Sequence, residues 1–271
     1  MRLIARLPTL LTNIHIRRYS SIPMAAPSPP VIIAGVGPGT GASVARRFAT
    51  TYPVVLLARN PDNYNSLVEE IQKKGGWAKG ISTDVSDVGS VKAAFEELEE
   101  IAGGGEGKGK VAAAVFNVGG RFIRKPFLEL TQEEFESGWD ANGRGAYLFS
   151  KSVLPLLLNS TDLTYPPTLI FTSATAALRG SALCSSFATG KFAMRALAQS
   201  LAREFGPQGV HVAHAIIDGV IDIPRTKDWH FEKEDAKISA DAIADSYWYL
   251  HTQPRTTFTN EIDIRPYVEK W

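Results

Sequence analysis

The chain has 271 residues, 44% of them hydrophobic and 21% charged, enough to bury one sizeable core, and an α/β domain of this length is common. Lysine and arginine total 29 against 28 aspartate and glutamate residues, so no surplus of charge points to a nucleic-acid partner. Cys184 is the only cysteine, which excludes an internal disulfide. No Cys/His cluster has zinc-site spacing, no internal repeat is visible, and no apolar run is long enough to span a bilayer.

The first two dozen residues differ from the rest. Arg2, Arg6, Arg17 and Arg18 punctuate a Leu/Ile-rich stretch, and the first carboxylate of the chain is Asp62. This composition predicts a mitochondrial transit peptide over residues 1–19, although Pro8 interrupts any helix there. Arg17-Arg18-Tyr19-Ser20 resembles a matrix-peptidase site cut after Tyr19. Residues 20–30 read as an Ala/Pro/Ser linker, and Met24 within it offers an alternative start that would leave a cytoplasmic form. The expected location is the mitochondrial matrix.

From residue 31 to 271 a single domain is expected, in which strands and helices alternate. Strands are predicted at Val31–Ala34, Val54–Ala58, Ala78–Ser82, Val111–Phe116, Thr168–Ser173, Val210–Ile217 and Glu261–Ile264, all short apolar or β-branched runs. Helical spacing falls on Ala42–Ala49, Ser66–Lys74, Val91–Ile101, Phe135–Leu158, Lys191–Phe205 and Ala240–Leu250. Such alternation predicts an α/β fold, a doubly wound parallel sheet of Rossmann type with helices on both faces. Gly103–Gly109, with five glycines, and Asn159–Pro167 read as surface connections inside that one domain.

The first turn carries phosphate chemistry. Gly35, Gly37, Gly39 and Gly41, with Thr40, stand between the first strand and the first helix. Glycines there let the backbone approach a pyrophosphate while helix N-terminal amides supply donors, so this turn predicts nucleotide binding. The second strand ends Leu57-Ala58-Arg59-Asn60. An arginine in that place, without a competing carboxylate, points to the 2′-phosphate of NADP(H).

The spacing Gly35-x-x-x-Gly39-x-Gly41 and the landmarks after it resemble the short-chain dehydrogenase/reductase family, from Val31 to about Ile264. Asp84-Val85 looks like the family's adenine-contacting pair. Asn117-Val118-Gly119 matches the Asn-Ala-Gly that ends its fourth strand. Asn142 matches its helix asparagine, and Lys191 its ribose-holding lysine. Gly219 and Ile221 are further residues that the resemblance implies at the cofactor. The resemblance implies a small-molecule substrate, an oxidoreductase activity, and homodimers or homotetramers built on the two long helices.

The departures lie in the chemistry. The family's Tyr-x-x-x-Lys reads Phe187-Ala-Thr-Gly-Lys191 here, as in an atypical subgroup with phenylalanine for the tyrosine. Its serine falls on Ala174, with Ser173 one residue away, and its Pro-Gly after the sixth strand is Asp218-Gly219. In the family the tyrosine gives a proton to the substrate oxygen, a contribution of roughly a hundred- to ten-thousand-fold in rate. Ser173 and Asp218 are therefore the expected substitutes, Asp218 either as a neutral acid in an apolar pocket or, structurally, as an Asx-type turn before Gly219. Thr172, Cys184, Ser185, Ser186 and His214 are further polar groups expected near the cofactor. Three readings stand: an NADP(H)-dependent oxidoreductase with a degenerate site, acting on a carbonyl or activated C=C substrate under Pro224–Ala236; a nucleotide-binding scaffold or sensor without turnover; and a pocket catalysing a non-redox step with the nucleotide as a wall.

Overall fold

The computed structural model describes residues 29–102 and 109–270. The expected leader, most of the linker and most of the glycine-rich connection lie outside the described residues. Seven strands form one parallel sheet: β1 (Val31–Ala34), β2 (Val54–Ala58), β3 (Ala78–Ser82), β4 (Ala113–Phe116), β5 (Thr168–Ser173), β6 (His211–Ile217) and β9 (Glu261–Ile264). Their spatial order is β3-β2-β1-β4-β5-β6-β9, every neighbouring pair parallel.

Period-two alternation along each strand feeds two cores. Val31 and Ile33 of β1, with Val54 and Leu56 of β2, point to the face covered by α1 (Thr40–Ala49), α2 (Asn65–Lys73) and α7 (Ala240–His251). Ile32 and Ala34, with Val55 and Leu57, point to the face covered by α3 (Val88–Ala102), α5 (Gly145–Leu158) and α6 (Ser185–Phe205). Strands buried on both faces must be apolar on both, which is why these runs are continuous in sequence. The strand order reverses between β1 and β4, and the carboxyl ends of those strands open a crevice suited to a ligand.

Three departures from the sequence reading matter for the site. The helix expected over Phe135–Leu158 is broken: α4 (Gln132–Trp139) ends in one wide π turn over Asp140–Arg144 before α5 begins. Apolar spacing is nearly unchanged by one extra residue in a turn, so periodicity could not show it. Helix α6 starts at Ser185, six residues before the expected Lys191, because its first turns face the site and not a uniform core. A two-stranded sheet of β7 (Val220–Asp222) and β8 (Lys237–Ser239), each too short to show a pattern, was not foreseen.

Candidate active site

The glycine turn after β1 is built by close approach. Gly35 has φ +85°, and a Cβ there would stand 2.6 Å from the Asn117 carbonyl oxygen. Asn117 in turn donates from Nδ2 to the Gly35 carbonyl at 3.0 Å and from its backbone to Ala34 at 2.8 Å. The ends of β1 and β4 are thus tied together at the switch point. Gly41 packs on the same turn, where a Cβ would meet the Gly35 oxygen at 2.8 Å, and Thr40 opens α1 beside it. Gly37 and Gly119 instead face open space.

A cleft of about 900 Å³ runs from this turn across the ends of β2 and β3, lined by Gly35, Ala58, Arg59, Asn60, Asp84, Val85, Asn117 and Gly119 among others. Eight of the expected cofactor residues or their neighbours therefore share one cavity. Arg59 is exposed at its rim, and its guanidinium makes no hydrogen bond among the described residues. Asn60 caps the short turn Pro61–Asn63 by accepting from Asp62 N at 3.0 Å, so its side-chain oxygen is already committed to the backbone. Burial opposes ionisation of Asp84, but hydrogen bonds from the Ser86 hydroxyl and amide and the nearby Arg59 charge outweigh it and hold its carboxyl below the ordinary value. Arg59 and Asp84 thus place a cation and an anion on one wall.

The opposite end of the site is close-packed. A Cβ on Gly190 would overlap the Gly138 carbonyl oxygen, so α6 and α4 touch backbone to backbone there. The Ser186 hydroxyl locks the same contact at 2.9 Å from the Glu134 carbonyl and 2.8 Å from that of Phe135. This packing brings Asn142, in the π turn, beside α6. Asn142 is fully buried, donates from Nδ2 to the Gly138 carbonyl at 3.0 Å, and leaves Oδ1 without a partner. A single wide turn at a functional position is a recurrent device in helices.

Lys191 is 3% exposed, and its only hydrogen bond among the described residues is to the Thr172 carbonyl at 3.2 Å. Burial alone pushes its pKa down to about 7. The amine lies 5.7 Å from the centre of the Phe187 ring, and Phe187 meets Phe122 edge-to-face at 5.2 Å. Ser173 is buried with its hydroxyl unpartnered, as are the Thr175 and Ser185 hydroxyls, whereas Ala174 offers only a methyl group. Neither Phe187 nor Lys191 lines the 900 Å³ cleft. Ile223 lies between these regions, its Cγ2 where a Cβ on Gly39 would come within 2.7 Å. Gly219 and Ile221 follow β6, Gly219 against Pro266 and Ile221 paired with Ile238 in the small sheet.

The family model described as short chain dehydrogenase matches residues 30–234. The chain belongs to that family. It is similar to an uncharacterized oxidoreductase of Staphylococcus epidermidis, 25% identical over 240 residues that cover 87% of this chain and 96% of that protein. Among solved structures it resembles a short-chain dehydrogenase from Rhodopseudomonas palustris at 32% identity and TM-score 0.73, covering 88% of this chain and 99% of the other. An alcohol dehydrogenase from Thermococcus sibiricus complexed with 5-hydroxy-NADP shares the fold at 24% identity and TM-score 0.77, over 90% and 98% of the two chains.

Within the short-chain dehydrogenase frame, several expected polar groups prove to be engaged in structure. Asp218 forms an ion pair with Arg265, which also grips Asp263 at 2.6 Å and 2.7 Å. That pair fixes the turn before Gly219 where the family has a proline, so the Asp218 carboxyl clasps the C-terminal segment and does not stand free as the proton donor expected of it. The His214 Nδ1 meets Glu261 at 3.1 Å beneath α6, and Glu261 is held in turn by Arg195 at 2.8 Å. Thr172 accepts at Oγ1 from the Tyr247 hydroxyl at 2.8 Å. Arg121, which also lines the cleft, was missed in sequence. Its place depends on the turn at Gly119-Gly120, which local pattern does not encode.

Proposed function

We propose that this short-chain dehydrogenase is an NADP(H)-dependent oxidoreductase with a degenerate Ser/Tyr site, acting on a carbonyl or activated C=C substrate. The observation that carries the reading is the Arg59 guanidinium, unbonded at the rim of a cleft whose floor is the Gly35–Asn117 contact. A cation there suits the 2′-phosphate, which a carboxylate would repel. The open faces of Gly37 and Gly119 give the backbone amides access to a pyrophosphate. The residues present therefore fit the cofactor, which when bound supplies or accepts the hydride. Two structural neighbours bear names that include 5-hydroxy-NADP or NADP, in line with this choice.

This chain's own residues then do three things. The glycine turn and the first turn of α1 hold phosphate. Asp84 and Val85 border the adenine end of the cleft. Lys191 and Asn142 stand in the family's ribose and relay positions, and Ser173 offers an unpartnered hydroxyl one residue from the missing serine. Substrate is placed beyond Phe187, under the segment from Pro224 to Ala236. Hydride addition to a polarised C=C bond needs less help at oxygen than ketone reduction and suits a site without a phenol.

A second reading, a scaffold or sensor stabilised by NADP(H) without turnover, draws support from the packing of Phe187 on Phe122. The two readings part in one experiment: consumption of NADPH by the purified protein across a panel of ketones, aldehydes and enones. Turnover of any panel member supports the oxidoreductase. Stabilisation by NADPH with no consumption supports the scaffold. Phe187→Tyr with Ala174→Ser should raise ketone reduction by at least tenfold, within the general-acid range of about a hundred- to ten-thousand-fold. We also propose homodimers or homotetramers through α5 and α6, where Tyr147 and Phe192 are exposed.

A further inference from the structure

We propose that Lys191 itself gives the proton to the substrate oxygen, standing in for the absent phenol at Phe187. The proposal rests on the oxidoreductase reading above and names the acid which that reading lacks. The amine is buried beside the ring that replaces the tyrosine, and it has one hydrogen-bond partner, a neutral carbonyl. Among the described residues no carboxylate is bonded to it. An ammonium group presents three donors, so two N–H directions are left for ligands, and Asn142 Oδ1 and the Ser173 hydroxyl are likewise buried without partners among the described residues. A buried polar group without a partner is costly and calls for a ligand or a function.

The other titratable groups packed around α6 have partners of their own, although His214 Nε2 and Asp140 Oδ1 are left without a hydrogen bond among the described residues. On β6 and β9, His214 meets Glu261, and Glu261 is bonded by Arg195 of α6. Asp218 after β6 is paired with Arg265, and Asp140 in the π turn lies 3.3 Å from Arg144. On α4, Glu134 accepts from Lys125 at 2.9 Å. The Tyr247 hydroxyl of α7 donates a hydrogen bond to Thr172 Oγ1, and burial pushes its pKa up, away from neutral chemistry. Lys191 alone combines position with a pKa of about 7, the value that best suits a general acid near neutral pH.

The step balances simply. Hydride from NADPH forms the new C–H bond at the carbonyl carbon, the C=O π pair moves to oxygen, and an N–H bond of the Lys191 ammonium breaks as the O–H bond forms. NADPH is oxidised and the carbonyl reduced, and the neutral amine regains its proton from water. For an enone, hydride adds at the β carbon and the same proton is taken by the enolate oxygen, which then tautomerises to the ketone.

Two measurements test this. The first is carbon NMR of lysine labelled at Cε in the cofactor-free protein, with the Lys191 signal assigned by its loss in Lys191→Met. A titration midpoint between pH 6 and 8 is expected, and a midpoint above 9 overturns the proposal whatever the activity. The second is the pH profile of kcat/KM for NADPH-dependent reduction of the best panel substrate. It should fall tenfold per pH unit above about 7, the donor then being lost, and Lys191→Met, assayed with NADPH raised to saturation so that a lost ribose contact is made good, should lower kcat/KM by about a hundredfold or more. Phe187→Tyr should displace the alkaline limb, because a phenol then takes over the transfer. A flat profile to pH 9, or a Lys191→Met variant as active as the parent, overturns the role of Lys191 and leaves the oxidoreductase reading standing. Failure of NADPH to bind, or to be consumed by any substrate, overturns that reading and this one together.

Discussion

Lys191 shows how one residue's environment can be read as both stability and chemistry. Its pKa in the folded chain is about 7, against 10.5 for an ordinary lysine, because burial penalises the ammonium form. Between those two pH values the unfolded chain binds more protons than the folded one, so stability rises with pH across that window. Below about pH 7 both states carry the charge and the full burial penalty is felt. Above 10.5 both are neutral and it disappears. Lys191→Met should therefore melt at a higher temperature than the parent at pH 7, by about 2–4 °C per kcal/mol recovered, with the gap closing toward pH 10.5 in thermal scans. A parent as stable as the variant at pH 7 would place the amine in a better-solvated setting than the structure gives it.

The identity of this residue was legible in sequence through its spacing from Phe187 and its order after Asn142. Its setting was not. That Asp218 pairs with Arg265, 47 positions along the chain, depends on β6 and β9 being neighbours. Nothing local to Asp218-Gly219 carries that information, and a carboxylate expected as an acid turned out to clasp the C-terminal segment. The contact between Phe187 and Phe122 was likewise invisible, since it joins a loop after β4 to α6.

At the scale of elements, the strands were legible nearly to the residue because both faces of a parallel sheet are buried, and burial leaves unbroken apolar runs. Val31–Ala34, Val54–Ala58 and Thr168–Ser173 coincide with the expected bounds. Helix boundaries were harder. The π turn over Asp140–Arg144 and the early start of α6 both serve the contact between Gly138 and Gly190, which involves no side chain and leaves no periodic signature. The contact itself is testable. In Gly190→Ala the added methyl group strikes backbone, so α4 and α6 must separate, at a cost of about 1–3 kcal/mol as for other overpacked positions. Denaturant unfolding should show that loss, and the separation should also weaken NADPH binding by moving Asn142 and Lys191 apart. A variant with parental stability would mean that the two helices are not fixed by this approach.

For the whole molecule, acidity is the expected weakness. Burial pushes His214 and His251 down to about 4, outweighing the Glu261 carboxylate that favours the charged form of His214. Both are therefore neutral in the fold where the unfolded chain is protonated. Folding stability must then fall as pH drops from about 6.5 to 4. Glu261, bonded by Arg195, is held below its ordinary value and acts in the same direction. Midpoints of urea unfolding measured from pH 7.5 to 4.5 should decline steadily, and a constant midpoint would contradict the buried neutral histidines. The basic, acid-poor leader belongs to the same scale. We propose that it directs import to mitochondria, which a fluorescent protein fused after residue 30 would reveal by its location.

Calorimetric titration of the protein with NADPH and NADH tests most directly the proposal that the nucleotide cradle is retained while the proton donor has changed. The expected result is NADPH bound more tightly than NADH, with Arg59→Ala losing roughly ten- to a hundredfold for NADPH, as befits a charged hydrogen bond of about 1.5–3 kcal/mol, and little for NADH. No heat with either nucleotide, or equal weakening of both by Arg59→Ala, would contradict it.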